Sequence, residues 1–536
     1  MTRAMEMLRP MAPGPRPSEG MLRANHAPAL ASAQLSHPMD ETDLENPMNW
    51  PLHRKLYTSF AAWLCAAAVA FGMTCYTIAI PQIIASFSFN ASGSATYLPI
   101  GPISGYSVYL FGIVFAPIFT PHVAERIGRA KVYLVAMPLC GLFLLGAGFS
   151  QTFAGVAVLR FLAGLSGGPC LVLLEGTFAD IWSAETTNTY YAFQALAQFF
   201  GTALGPVVGG YLVEATDGWR WTQWISAAVC GGVFLFGIGM SETYQREIPR
   251  RRAKLHGKVL EQDPALSGVT ITEMLRITVL DPIRQVFMEP VVALCTFFVI
   301  FNFAVLLQFF ITIPVALGSP APAGPGWTPN QVGLAFTSAI AGSALAALIV
   351  VMIDQVTTGT LMKKHMPTFT QIEYRLIPAM IGPLLVTAAL FWIGSTVGNP
   401  SFPPIVPIIG TGVFVCGVAM VIMSIIPYLF DAYPPAGTLS ALTAAASGRL
   451  LFAGALPLVI LQFFTAVTPK WALYTFGFIS ILTWPIAFIL FRWGPVLREK
   501  SRYSTMPGMS AGEPGMSAGE PATGHHKTAS RDEESS

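Results

Sequence analysis

Arg160 stands in LRFLAGLSGGP, a single charge inside a stretch that is otherwise apolar. A guanidinium held away from water is expensive, so such a residue marks a functional site by default. Further along the same stretch lie Glu175 and Asp180, each a protonatable partner for Arg160 or a residue of the headgroup edge. An exposed backbone carbonyl is the other candidate partner. Arg160, Glu175 and Asp180 are therefore the candidates for proton coupling or relay. Gln194, Gln198, Asn302, Gln308 and Arg449 are the other polar groups within apolar stretches. Asn302 and Gln308, in FNFAVLLQFF, suit hydrogen bonding to a ligand and equally suit bonding between helices. Phe298, with its neighbours Phe297 and Phe301, could line an apolar cavity or face lipid. Gln194, Gln198, Phe298, Asn302 and Gln308 form the candidate substrate cavity.

Two further segments point to moving parts. PHVAERIGRAK is a short connection too charged to be a packing turn. Gly128 supplies a tight turn there, and Glu125, Arg126, Arg129 and Lys131 can form ion pairs between helix ends. Such a cluster could latch one conformational state and break in another. In GTALGPVVGGYL, Gly201, Gly205 and Gly209 share one helical face at i, i+4 and i+8, where small residues let helices approach closely. Pro206 frees a carbonyl and allows a bend, and Gly210 adds to the small-residue surface. The segment fits a gating helix or ordinary helix packing.

Other chemistries find no residues. No GxxxxGK[ST] motif exists, so ATP-driven transport of the P-loop kind is not supported. The seven cysteines all fall in apolar stretches without ligand spacing, and His122, His256 and His365 are isolated. No cofactor, metal, nucleic-acid partner or catalytic constellation is expected, and the chain is not read as an enzyme.

The elements that position these residues follow from composition. Charged residues make up 11% of the chain and apolar residues 53%, and mean hydropathy is +0.57. A soluble protein carries about 25% charge and could not hide so much apolar surface. The chain is an integral membrane protein. Apolar segments fall at about 57–79, 102–120, 132–149, 153–174, 188–212 and 221–240. After a polar break they resume at about 287–311, 331–351, 376–396, 404–427, 437–462 and 470–491. Each approaches the roughly 20 residues of a helical span, so an all-α polytopic fold with twelve transmembrane helices is expected.

Charge sets the topology. Arg126, Arg129, Lys131, Lys363, Lys364 and the run Arg250 to Arg252 fall in alternate connections, and the remaining connections hold almost no Lys or Arg apart from Arg220. Both termini should therefore lie in the cytoplasm. The expected organisation is a disordered cytoplasmic N-tail at 1–55, a six-helix bundle at 56–240, a cytoplasmic linker at 241–285, a second bundle at 286–492 and a disordered cytoplasmic C-tail at 493–536. That last tail carries the heptad GMSAGEP twice. Asn90-Ala91-Ser92 is a glycosylation sequon in the first outside loop.

These features together resemble the major facilitator superfamily. PHVAERIGRAK is similar to its signature loop, LRFLAGLSGG to its fourth-span arginine motif, and GTALGPVVGGYL to the fifth-span motif of its drug:proton antiporter branch. SETYQREI, EYRLIPAMIGP and YLFDAYPPAGTLSALTAAASGRLLFAGALPL look like the fungal twelve-span drug:proton antiporters. The chain departs from their usual pattern at Glu125, Ala130 and Ser241. The resemblance implies a major facilitator fold and plasma-membrane efflux of small amphipathic molecules, such as a drug, toxin, secondary metabolite or glycolipid. It implies proton antiport as the energy source and alternating access between two bundles as the mechanism. By motif match, Glu125, Arg129 and Lys131 would belong to the latch, Arg160 to proton coupling, and Gly205, Pro206, Gly209 and Gly210 to the antiporter helix. A monomer in the lipid bilayer, with a small-molecule substrate and protons as partners, is expected. The alternative is uptake or facilitated passage of a sugar, organic acid or polyamine. Sugar carriers need many amide and acid groups in their spans and polyamine carriers need intramembrane carboxylates, and neither is evident.

Overall fold

The computed structural model describes residues 43–87, 100–182, 187–216, 218–245, 247–255, 275–318, 326–357, 372–397, 402–433, 435–467 and 469–499. Among them there is no strand. An apolar segment in hydrocarbon has no water for its backbone, and a helix satisfies each peptide group within itself.

The first half holds α1 (Leu52–Thr74) and α2 (Ile80–Ser86), joined by a 3-10 turn at Thr77–Ala79. It continues with α3 (Ile100–Val114) and α4 (Ala116–Ile127), which form one span bent by 42°. Pro117 at the start of α4 removes a helical donor at that bend. Then come α5 (Arg129–Phe149), α6 (Phe153–Ile181), α7 (Thr187–Thr216) and α8 (Arg220–Gly237). The connection between halves contains α9 (Glu247–Leu255), a π-turn at Arg276–Leu280 and α10 (Asp281–Met288).

The second half runs through α11 (Pro290–Gly318), α12 (Pro329–Ala335), α13 (Thr337–Val356), α14 (Ile377–Thr396) and α15 (Ile405–Ala432). It ends with α16 (Pro435–Val467), α17 (Pro469–Ile481) and α18 (Trp484–Glu499). Among the described residues, ten helical stretches are long and apolar enough to cross a membrane, or eleven counting the bent α3–α4 pair. Twelve were expected. α8, which opens on Arg220, Thr222 and Gln223, is not among those eleven.

Helix pairing repeats along the chain. In the first half α1, α3 and α5 pack on α6, α5 packs on α8, and α1 packs on α7. In the second half α11, α13 and α14 pack on α15, α14 packs on α17, and α11 packs on α16. The halves meet where α7 lies against α12 and α13, and where α16 lies against α3. Leu142, Leu235, Leu345 and Leu482 remain more than half exposed, an apolar surface that a soluble protein would bury and that lipid covers.

The small-residue face of α7 sets its closest contacts. A Cβ at Gly201 would strike the Ala67 backbone, one at Gly205 the Thr74 hydroxyl, and one at Gly209 the Cys75 carbonyl. All three press on α1 and its end. Gly210 instead faces Pro329 and Gly333, where α12 begins, so it sits between the halves. Pro206 donates no N–H to the Thr202 carbonyl, and the Thr74 hydroxyl donates to that oxygen at 2.8 Å.

Three sequence boundaries shift. Residues 43–55 are ordered: Asn46 caps a 3-10 turn at Pro47–Asn49, Trp50 is buried, and α1 begins at Leu52. The C-terminal helix passes 492 and continues to Glu499, because Arg498 is buried against Glu373. The 241–285 connection is partly helical rather than a plain linker. Residues 1–42 and 500–536, with both GMSAGEP repeats, and the sequon at Asn90 lie outside the described residues.

Gly201→Ala should destabilise the fold by about 1–3 kcal/mol through overpacking against rigid backbone. Gly231→Ala, where nothing lies within 4 Å of an added Cβ, should be neutral or stabilising. Thermal unfolding of both detergent-solubilised variants checks the contrast.

Candidate functional site

Arg160 is fully buried on α6 and bonded on every side. Its Nε donates to the Gly105 carbonyl at 2.7 Å and its Nη1 to Gln223 Oε1 at 2.8 Å. Its Nη2 donates to the Met73 carbonyl at 3.2 Å and the Gly72 carbonyl at 3.5 Å. Those two carbonyls lie in the last turn of α1, where the helix has no following N–H to offer them. The guanidinium also lies 4.2 Å from the Tyr76 ring centroid and 5.0 Å from that of Tyr109. Arg160 thus ties α1, α3, α6 and α8 together within the first half. Of the partners considered from sequence, the carbonyls are the ones it meets. Glu175 lies about 22 Å further along the helix axis and belongs to a different cluster.

That charged connection between α4 and α5 is built as a docking point. Gly128 has φ +89°, and a Cβ there would strike the Glu242 carboxylate. With the glycine, Glu242 accepts from the Arg129 N–H at 2.8 Å and the Tyr244 N–H at 3.1 Å, and pairs with Arg251 at 2.9 Å. The Arg129 side chain pairs with Asp180 at the end of α6, at 3.1 Å. Lys131 and Arg251 both approach Glu247, at 3.9 and 3.4 Å. The cluster therefore joins the start of α5, the end of α6 and the start of the connection between halves. Glu125 is half-buried and Arg126 exposed. Asp180 belongs here, not with Arg160.

Farther out, Arg252 pairs with Asp43 at 3.0 Å and Glu45 at 2.5 Å. The Glu45 backbone N–H, and after it Arg252, hold the Asp43 carboxyl below its usual range. The clasp is therefore present at neutral pH and is lost as pH falls through that lowered value.

The second half repeats the arrangement. Arg375, just before α14, pairs with Asp431 near the end of α15 at 2.8 Å, and Glu373 pairs with Arg498. Sequence reasoning missed these partners, along with Glu242, Glu247 and Gln223, because most of these pairs join residues far apart in the chain.

Between the halves lies a narrow cleft. The first half contributes Glu175, Tyr191, Gln194, Gln198 and Phe199. The second contributes Phe303, Ile422, Met423, Ile426, Pro427 and Arg449. Gln194 and Arg449 are buried, and Gln194 Oε1 and Arg449 Nε have no hydrogen-bond partner. The Arg449 guanidinium sits 5.2 Å from the Phe303 ring centroid, and Glu175 and Arg449 feel each other's charge across the cleft. A largely apolar lining with a few convergent polar groups is the character of a small-molecule site.

Of the five cavity candidates, Gln194 and Gln198 line the cleft. Phe298 is instead fully buried in the second-half core with Val291, Cys295 and Leu429. Asn302 donates to the Phe298 carbonyl at 2.9 Å, and Gln308 to the Thr312 hydroxyl at 3.0 Å, each within α11. Neither lines the cleft.

A polytopic helical protein with repeated halves and a cleft lined from both has the architecture of a membrane transporter. The chain belongs to the Major Facilitator Superfamily, whose family profile matches residues 62–455. Its class is secondary active transport of a small organic molecule, not catalysis. It is similar to "Efflux pump FUBT" of Fusarium oxysporum, 29% identical over 86% of this chain and 76% of that one. It is also similar to "Polyamine transporter 4" of Saccharomyces cerevisiae, 26% identical over 87% and 74%. Among solved structures, a proton:xylose symporter bound to 6-bromo-6-deoxy-D-glucose matches with a TM-score of 0.57. That likeness, at 13% identity over 83% of this chain and 96% of that one, concerns the fold.

Arg160→Ala leaves Gln223 Oε1 and the Gly72 and Met73 carbonyls without this donor, each worth roughly 1–3 kcal/mol when buried. The variant should lose folded protein as well as transport, measured by yield and monodispersity after size-exclusion chromatography. Glu242→Gln should loosen the connection between halves and raise tryptic cleavage at Arg250 to Arg252 several-fold. Unchanged cleavage would mean that the carboxylate does not hold that segment.

Proposed function

We propose that this protein is a twelve-span proton antiporter that exports small amphipathic organic molecules by alternating access. In this reading residues 56–240 and 286–492 form two six-helix bundles, joined through the connection at 241–285. The observation that carries it is the cleft, lined from both halves and holding one carboxylate, Glu175, and one guanidinium, Arg449. A site shared between two bodies changes its access when they rock, which is what alternating access requires. The repeated helix pairing gives those bodies matching construction. Several similar fungal proteins are named as efflux pumps, which supports export as the direction.

Within this scheme Glu175 is the group that exchanges protons, since it is a carboxylate lining the cleft. Arg160 is a fixed charge that holds the first bundle together. The cluster of Arg129, Lys131, Asp180 and Glu242 latches one conformational state, with Glu125 and Arg126 at its rim. The glycines Gly201, Gly205, Gly209 and Gly210, with Pro206, form the sliding face of the antiporter helix. Basic residues at the linker end support cytoplasmic termini, and the plasma membrane is the location that the resemblance to fungal efflux transporters implies.

Uptake of a polyamine is the second reading, prompted by the similar yeast protein. A polycation would need several carboxylates, and the buried Arg449 opposes it. In proteoliposomes, an imposed pH gradient should drive accumulation of an amphipathic test compound, and Glu175→Gln should remove the dependence on the gradient. Transport by wild-type protein that ignores collapse of the gradient would overturn proton antiport.

A further inference from the structure

We propose that the cleft selects organic anions, with Arg449 receiving a carboxylate of the transported molecule. The inference rests on the reading of the cleft as the cargo site. Arg449 is 7% exposed, its Nε has no acceptor, and no carboxylate among the described residues lies within ion-pair distance of it. A buried guanidinium carries five N–H donors in a planar fork, shaped for two parallel bonds to a carboxylate. Here one face of that fork rests on the Phe303 ring, 5.2 Å away, and its Nε has no acceptor. Glu175 supplies the opposing charge only from across the cleft, so an incoming carboxylate takes a place that no side chain fills.

The remaining lining defines the rest of the ligand. Gln194 Oε1 is a buried acceptor without a donor, and calls for an O–H or N–H group on the bound molecule. Phe199, Ile422 and Met423 offer an apolar bed whose methionine adapts to different shapes. Cargo of this chemistry is an apolar, ring-bearing carboxylic acid with one hydrogen-bond donor. A polycation is excluded by the same guanidinium, and an uncharged sugar leaves it without a counter-charge.

Indole-3-acetate, indole-3-acetamide and tryptamine share one ring and one N–H and differ in charge, so they separate these cases. Isothermal titration of the purified full-length protein in lipid nanodiscs should give indole-3-acetate at least tenfold tighter binding than the amide, with tryptamine weakest. In Arg449→Gln the acid should fall to the affinity of the amide, and in Arg449→Lys the preference for the acid should return. Equal binding of acid and amide to the wild-type protein overturns the anion site, whether or not the variants fold. So does a preference for tryptamine, or an acid preference that survives in Arg449→Gln. If none of the three binds, the cleft is not the cargo site, a separate failure that removes the basis of the proposal.

Discussion

In hydrocarbon, every carbonyl that a broken helix leaves unbonded must find another donor, and this protein breaks its helices where donors are waiting. The end of α1 exposes the Gly72 and Met73 carbonyls, and Arg160 donates to both. Pro206 releases the Thr202 carbonyl, and the Thr74 hydroxyl takes it. The same residue pair thereby binds α7 to α1 at the point where α1 stops. The charge on Arg160 is thus tolerated because it is surrounded by acceptors and aromatic faces, and the break in α1 is tolerated because Arg160 is there. Neither feature is stable without the other.

This constraint divides the polar groups of the chain into two kinds. Arg160 and Gln223 spend their hydrogen bonds on neighbouring helices or on their own, whereas Asn302 and Gln308 donate within α11 and keep unpartnered amide oxygens away from the cleft. Gln194 and Arg449 are as deeply buried but keep unpartnered atoms beside the cleft. A buried polar atom without a partner raises the free energy of the empty site and lowers the relative free energy of any state in which a ligand supplies the bond. Selectivity in this protein is therefore written in what its cleft leaves undone. The ion-pair clusters at the linker end serve the opposite purpose, since Arg129, Asp180, Glu242 and Arg251 satisfy one another and hold segments together.

Much of this was legible in the sequence. Apolar segments of span length announced the helices, and the i, i+4, i+8 glycines of α7 announced a close-packed face that α1 indeed occupies. The charged connection around Gly128 was visible too, because a positive φ and a dense mixture of charges are local properties. The partners were not. Glu242 is separated from Arg129 by four helices, and Asp431 from Arg375 by two, so no local pattern links them. Helical rotation decided the cavity residues: Asn302 and Gln308 sit among the most apolar residues of α11 and stood out for that reason, yet α11 turns them into the protein. Arg449 was seen as a charge within a span, but only the fold, which brings α6 and α16 to one cleft, sets it across from Glu175.

Where α7 meets α12, Gly210 faces Pro329 and Gly333, and Pro206 meets Gly333 from the turn below. Backbone touches backbone there, and beside it the Glu214 side chain of α7 accepts from the Asn330 N–H of α12 at 2.9 Å. Meshed side chains act like gear teeth: they permit only stepwise shifts, each crossing a barrier while one tooth clears the next. At Gly210 and Gly333 the contact carries no such teeth, and the Glu214–Asn330 bond is the polar tie beside it.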